Sequence, residues 1–333
     1  MRTEMGGTMS IAKNLCKLVA TSAMAAMAGI AAAQTFPSRP ITIIVPFPPG
    51  GVTDPVARMV GQRMSENLRQ PVLVENKPGA SGIIAAEFVK KSPPDGYTIF
   101  FGFTGSQSVN PSLYSKLPYD PEKDFQPVTA IINTKHILVV PAASPAKSAA
   151  DLVAMAKSSP KGLNFASQGV GAGGHLLGEM LKAKTGANLA HIAYKGSAPA
   201  VTDLLAGRVD LLFDAVVTSL PFVKDGKMRA LAIAAKERSA LLPDVPTMAE
   251  AGFPGVDGDQ WFGMFVPAGT PAAVVRRLNE EFIKAVRSPD ILKSLTDRGL
   301  DVVTNTPEEF AALVREDAIR LGKVVKESGA RVD

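Results

Sequence analysis

Two stretches of this chain run from an apolar, strand-like segment through a glycine-rich turn into a helix-like segment. The first reads Val45-Pro46-Phe47-Pro48-Pro49-Gly50-Gly51-Val52-Thr53-Asp54. The second reads Asn164-Phe165-Ala166-Ser167-Gln168-Gly169-Val170-Gly171-Ala172-Gly173-Gly174-His175. A chain that leaves a strand and enters a helix within a few residues builds layered α/β structure. Each helix start exposes unpaired N–H groups and the positive end of the helix dipole, so each turn is a candidate anion seat. Two such seats, far apart in sequence, predict two lobes closing on one small acidic ligand.

The same alternation continues along the chain. Ile41 to Val45 is a continuous β-branched run, as in a buried strand. Thr53 or Asp54 can cap the helix that follows, with Pro55 in its first turn. Further strands are expected at Pro71 to Glu75, Tyr97 to Phe103, Leu163 to Ala166, Leu189 to Tyr194, Val209 to Phe213 and Met228 to Ala235. Ile137 to Val140 and Trp261 to Val266 are candidate crossings between lobes. Ser148 with Asp151, and Thr306 with Glu309, read as helix starts of the capping-box type. The expected class is α/β, with mostly parallel sheets in two lobes around a cleft. The expected boundaries are a signal over residues 1–33, a first lobe over 34–136 and 253–333, and a second lobe over 137–252.

The N-terminus has the pattern of an export signal. Arg2, Lys13 and Lys17 precede the alanine-rich stretch Leu18 to Ile30, and Ala31-Ala32-Ala33 forms a small-residue cleavage site before Gln34. Either Met1 or Met9 can serve as the start. The only cysteine, Cys16, lies within this segment, so the expected mature chain has no thiol, disulfide or cysteine metal ligand. Without residues 1–33 the net charge is about +3, and the longest basic runs are Lys90-Lys91 and Arg276-Arg277. Such a chain carries no nucleic-acid footprint. The expected location is the periplasm.

Catalytic motifs are weak. Gly169 to Gly174 fits G-x-G-x-x-G, but the region after the next strand, Ala190 to Lys195, lacks the carboxylate that a dinucleotide ribose needs. Ser144-Pro145-Ala146-Lys147 and Lys184-Thr185-Gly186 match S-x-x-K and K-T-G, the basis for an alternative reading as an exported serine hydrolase of the penicillin-binding type. Gly186 reads instead as a helix stop. Phe165 occupies the first position where G-x-S-x-G would need glycine. His136, His175 and His191 have no metal-binding spacing. His175 reads as a polar or packing group, Trp261 as a buried aromatic, and Asp214 as either a helix cap or a cleft residue. No enzyme, cofactor or metal is expected.

Longer ordered matches carry more weight. They are Arg39 to Phe47 running into Pro49-Gly50-Gly51 and Thr53-Asp54; Val74-Glu75-Asn76-Lys77-Pro78-Gly79-Ala80; Pro94-Asp95-Gly96-Tyr97-Thr98; Asn110-Pro111-Ser112-Leu113-Tyr114; and Asp124 to Val128. Asn164-Phe165-Ala166-Ser167, Tyr194-Lys195-Gly196 with Pro199-Ala200, and Pro267 to Pro271 continue the series. In these the chain resembles the Bug family, extracytoplasmic receptors of tripartite tricarboxylate transporters, over nearly all of its mature length. The resemblance implies a type II periplasmic-binding-protein fold and a small carboxylate ligand: a dicarboxylate, tricarboxylate, amino acid or aromatic acid. It implies membrane permease subunits as partners, or a sensory role where no permease is present. Carried over by position, the ligand contacts would be Phe47, Gly50, Gly51, Thr53, Asp54, Thr104, Gly105 and Ser106 in the first lobe. In the second they would be Ser167, Gly169, Gly171, Gly173, Ser197 and Asp214.

Overall fold

The computed structural model describes residues 36–328, so the export signal, Cys16, both candidate starts and the expected mature start at Gln34 lie outside the described residues. From Pro40 onward the chain forms one compact unit with two sheets. Its strands are β1 (Ile41–Val45), β2 (Val72–Asn76), β3 (Thr98–Phe103), β4 (Phe125–Thr134), β5 (His136–Pro141), β6 (Leu163–Ser167), β7 (Leu189–Ala193), β8 (Leu211–Ala215), β9 (Met228–Ile233), β10 (Gln260–Pro267) and β11 (Leu300–Val302). The helices are α1 (Thr53–Leu68), α2 (Ile83–Lys90), α3 (Asn110–Leu113), α4 (Pro121–Asp124), α5 (Ala149–Ser158), α6 (Gly173–Thr185), α7 (Ser197–Leu205), α8 (Val216–Lys224), α9 (Ala272–Val286), α10 (Pro289–Thr296) and α11 (Pro307–Ser328).

The first lobe is built on a sheet of order β11-β4-β10-β3-β1-β2, the second on β7-β6-β8-β5-β9. Strands joined by helical crossovers are parallel: β1 with β2 and β3, and β6 with β7 and β8. The strands at the crossings run antiparallel to their neighbours: β10 with β3 and β4, and β5 with β8 and β9. The sheets are therefore mixed, because a strand returning from the other lobe enters its sheet from the opposite end. Only Lys135 separates β4 from β5. Gln260 at the start of β10 pairs with Thr134 at the end of β4. Both crossings thus lie side by side between the lobes.

Strand periodicity explains how each sheet is covered. In β5, Leu138 and Val140 pack into one core with Phe165, Leu211 and Phe213. The alternate residues Ile137 and Val139 pack into another, with Ala166, Leu204 and Leu212, as side chains two residues apart share a face. In the first lobe Ile44, Phe100, Phe125, Trp261, Phe265 and Phe310 share a core. Each large apolar side chain fully buried in this way contributes about 1.5–3 kcal/mol. The Trp261 indole N–H donates to Asp317 Oδ2 at 2.7 Å.

Local signals at helix ends follow the sequence in most places. The Asp151 N–H donates to Ser148 Oγ at 3.0 Å at the start of α5. At the start of α11 the Glu309 N–H donates to Thr306 Oγ1 at 3.2 Å, and the Thr306 N–H donates back to Glu309 Oε2 at 2.8 Å. Gly186 ends α6 in the left-handed region at φ 66°.

Where α6 meets the sheet, helix and strand backbones nearly touch. A Cβ on Gly174 would lie 2.3 Å from the Phe213 carbonyl oxygen. That neighbour is strand backbone and cannot swing away. Gly174→Ala should therefore lower stability by about 1–3 kcal/mol, the usual cost of forced overpacking. Gly258→Ala, whose Cβ meets nothing within 4 Å, is the control. Urea titrations of both variants test this, and equal midpoints would refute it.

Candidate functional site

The turn after β1 delivers the chain to α1 with Val52 as the N-cap and no side-chain cap. The sequence assigned capping to Thr53 or Asp54, and the structure places neither in that role. Asp54 accepts from Arg58 Nη2 at 2.9 Å and Nε at 3.1 Å, one helical turn on. The Thr53 hydroxyl is buried and has no partner. In the second lobe α6 starts after Ala172, α7 after Gly196 and α8 after Ala215, again with no side-chain cap. A side chain at these positions would occupy N–H groups at the helix start; without one, those not bonded to backbone stay available to another acceptor, although the first N–H of α8, on Val216, already donates to the Lys135 carbonyl at 3.0 Å.

All four N-cap residues, Val52, Ala172, Gly196 and Ala215, line a single cleft of about 470 Å³, measured to its open mouth. Phe47, Pro48, Gly51 and Thr53 form its first-lobe wall, and Gln168, Ser197 and Ala198 its second-lobe wall. Thr134, His136, Gln260 and Phe262, from the two crossings, form its floor. The lobes meet closely at its edge. Gly196, at φ 129°, would carry a Cβ 3.2 Å from Pro48 Cδ, and a Cβ on Gly50 would lie 3.7 Å from Ala198 Cβ.

The cleft mixes apolar and neutral polar side chains and is not cationic. Among the described residues, the side chains lining it include no lysine, arginine or carboxylate. Burial pushes the His136 imidazole down to about 4, against a smaller opposing pull from Asp214, so it is neutral at neutral pH. Three buried polar atoms on cleft-lining side chains have no partner: Thr53 Oγ1, His136 Nδ1 and Gln168 Oε1. Unpartnered buried polar atoms also occur away from the cleft, on Asn67, Gln107, Asn110 and Glu281, so they do not by themselves mark the site.

Behind the second-lobe wall, Asp214 is fully buried at the end of β8. It accepts from Ser197 Oγ at 2.7 Å, Gln168 Nε2 at 2.9 Å and Ser219 Oγ at 2.6 Å, and also from Thr218 Oγ1. It neither caps α8 through its backbone nor lines the cleft; it organises side chains from the loop after β6 and from the first turns of α7 and α8. Nearby, Ser167 Oγ and His191 Nε2 lie 2.6 Å apart. His191 stacks on His175 with ring centroids 4.1 Å apart. His175 Nδ1 accepts from the Gly171 N–H at 3.0 Å, so this imidazole braces the second glycine turn as a polar packing group.

Comparison with known proteins decides the family. Residues 56–330 match the family described as Tripartite tricarboxylate transporter family receptor. BugT of Bordetella pertussis is 36% identical over 324 residues, covering 96% of this chain and 99% of that protein. A structure of R. palustris Rpa4515 with adipate is 37% identical, with a TM-score of 0.85 over 88% of this chain and 98% of that one. MatC from Rhodopseudomonas palustris with bound malate is 36% identical, with a TM-score of 0.83 over 87% and 100%. The chain belongs to the tripartite tricarboxylate transporter receptor family.

In this receptor the structure distributes the fourteen sequence-selected residues over several environments. Phe47, Gly51, Thr53 and Ser197 come together on the cleft, and Gly50 stands at the lobe contact. Thr104, Gly105, Gly171 and Gly173 line a neighbouring cavity that shares Gln260 with the cleft. Gly169 lines a third groove with Phe47 and Gln168. Asp54, Ser106, Ser167 and Asp214 are buried with their side chains engaged within the protein. Cleft residues not selected from sequence include Thr134, His136, Gln168, Gly196, Ala215 and Gln260. Gln168 lay inside the second turn and Gly196 beside Ser197, where adjacency was a usable signal. His136 and Gln260 carried none, since only the paired crossings place them on the floor.

The histidines make the receptor acid-sensitive. Burial pushes His136 and His191 down to about 4 and His175 down to about 3, below their ordinary value near 6.5. A base with a depressed folded pKa contributes its full stability above about 6.5 and loses it as pH falls toward the folded value. Unfolding should therefore become easier from about pH 6.5 toward 4, with a slope of up to about 1.4 kcal/mol per pH unit for each histidine. Urea midpoints across this range measure it, and His136→Gln should flatten the curve. A midpoint independent of pH over that window would refute the burial argument.

Proposed function

We propose that this receptor captures a small carboxylate in the cleft and delivers it, in the periplasm, to the membrane permease of a tripartite tricarboxylate transporter. The observation that carries the ligand class is the convergence of four helix starts without side-chain caps on one cleft that has no cationic side chain. Backbone N–H groups and helix dipoles favour an anion, and a carboxylate accepts several such bonds at once. The adipate and malate held by two relatives of similar fold belong to the same chemical class.

The energetics agree. Hydrogen bonds to a charged group contribute about 1.5–3 kcal/mol each. Four to six of them, less about 4 kcal/mol or more for immobilising the ligand, reach micromolar affinity, about −8 kcal/mol. Closure follows from the same geometry: a ligand held by α1 on one side and by α6, α7 and α8 on the other links the two lobes.

Gly51 gives a direct test. It lines the cleft, and a Cβ there meets nothing within 4 Å. Gly51→Val should fold normally while its branches fill the space before α1. Calorimetry with the best ligand from a panel of small carboxylates should show a loss of about tenfold or more, about 1.4 kcal/mol, with an unchanged circular dichroism spectrum. In the wild type the same ligand should raise the melting temperature by mass action and be recovered chemically unchanged. A folded Gly51→Val variant with wild-type affinity, or no carboxylate raising the melting temperature, would overturn the assignment.

A further inference from the structure

Most polar side chains on the cleft turn their polar atoms away from it. Thr134 Oγ1 donates to the Lys135 carbonyl at 3.3 Å. Ser197 Oγ donates to Asp214 Oδ1 at 2.7 Å. Gln168 Nε2 donates to the Phe213 carbonyl at 2.8 Å and to Asp214 Oδ1 at 2.9 Å. Gln168 Oε1, Thr53 Oγ1 and His136 Nδ1 are buried within the protein. What Thr53, Thr134 and Gln168 present to the cleft is therefore chiefly methyl and methylene carbon. Phe47, Pro48 and Val52 add apolar surface from the first lobe, Ala198 and Ala215 from the second, and Phe262 from the floor. Phe103 stands behind the two rings, with centroids 4.9 Å from Phe47 and 6.2 Å from Phe262, and braces them as one aromatic wall. The remaining polar groups gather at one end. Gln260 Oε1 and His136 Nε2 would lie 2.8 and 2.9 Å from a Cβ on Gly173, the first residue of α6. They stand with a helix start, where an anion is favoured.

Polar groups at the helix starts and carbon over most of the remaining lining match a ligand divided in the same way. We propose that the receptor selects a carboxylate whose body is bare hydrocarbon, an arene- or alkanecarboxylate, over one whose body carries a hydroxyl or ammonium group. This rests on the carboxylate reading above and narrows it. A hydroxyl on the body would leave water and meet side chains whose oxygens and nitrogens are engaged or buried. An ammonium would fare worse, because the lining side chains among the described residues include no carboxylate to compensate it. Each methylene taken from water against such a wall adds about three- to fourfold in affinity. The braced rings of Phe47 and Phe262 also offer aromatic faces and edges to a ring.

Matched pairs test the proposal, with the substituent set away from the carboxylate: hexanoate against 6-hydroxyhexanoate, glutarate against 3-hydroxyglutarate, benzoate against 4-hydroxybenzoate, and 6-aminohexanoate as the ammonium arm. Calorimetry on the wild-type protein should show the bare member of the best-binding pair held about tenfold or more tightly, as an apolar pocket rejects an added hydroxyl. Whether the benzoate or an alkane pair binds best then assigns the body as arene or alkane. Phe47→Asn replaces the half-buried ring with an amide and should bring the two members to within about threefold of each other. Ala198→Ser puts a hydroxyl on the facing wall and should reduce the same ratio, which it supplies if Phe47→Asn does not fold. A merely structural defect would weaken both members equally and leave the ratio unchanged, which would count against the proposal. Equal wild-type affinities within every pair, or tighter binding of the hydroxylated or ammonium members, would overturn it while leaving the carboxylate reading intact. Failure of every carboxylate to bind would remove that reading and this inference together.

Discussion

Backbone N–H groups at a helix start have no partner within their own helix, and burying them unpaired is costly. In this receptor four such helix starts converge on one cleft. Helices α1, α6, α7 and α8 all begin without side-chain caps, at residues that share one cleft. Elsewhere Asp120, Ser148 and Thr306 cap their helices locally, while α2, α3, α9 and α10 also begin without a side-chain cap. What distinguishes the four cleft helices is that their starts share one cleft, which fits the carboxylate proposed as ligand.

A second constraint lies behind the cleft. Asp214 is a buried acid held by donors from Gln168, Ser197, Thr218 and Ser219. Those bonds fix the side chains of Gln168 and Ser197 on the second-lobe wall. A uniformly cationic pocket would hold any carboxylate by charge; a cleft lined without cationic side chains leaves discrimination to shape and hydrogen bonding.

Much of the fold was legible in the sequence because its causes are local. The β-branched run Ile41 to Val45, the turn glycines and the capping boxes at Ser148 and Thr306 act over one to four residues, and the structure shows each element where that chemistry puts it. Thr53 failed as a cap although it has the right side chain in roughly the right place. Val52 takes the N-cap position, and Asp54 is drawn to Arg58 one turn on. Capping preference is a weak bias that a neighbouring ion pair and a ligand-facing turn can override.

The sequence by itself determined the alternation of strands and helices, the two glycine turns and, through ordered matches along the chain, the family. Local propensity and hydrophobic period suffice for these, since both are written along the backbone. The site was decided by tertiary structure. His136 and Gln260 are far apart in the chain and share the cleft floor because the crossing strands β4, β5 and β10 lie together. Asp214 could be read as a cap or a cleft residue; its donors arrive from positions 168, 197, 218 and 219, and only their assembly shows that it faces neither way. No local rule reports which way a hydrogen bond points when its partner is brought by another loop, and it is those directions that give this cleft its chemistry.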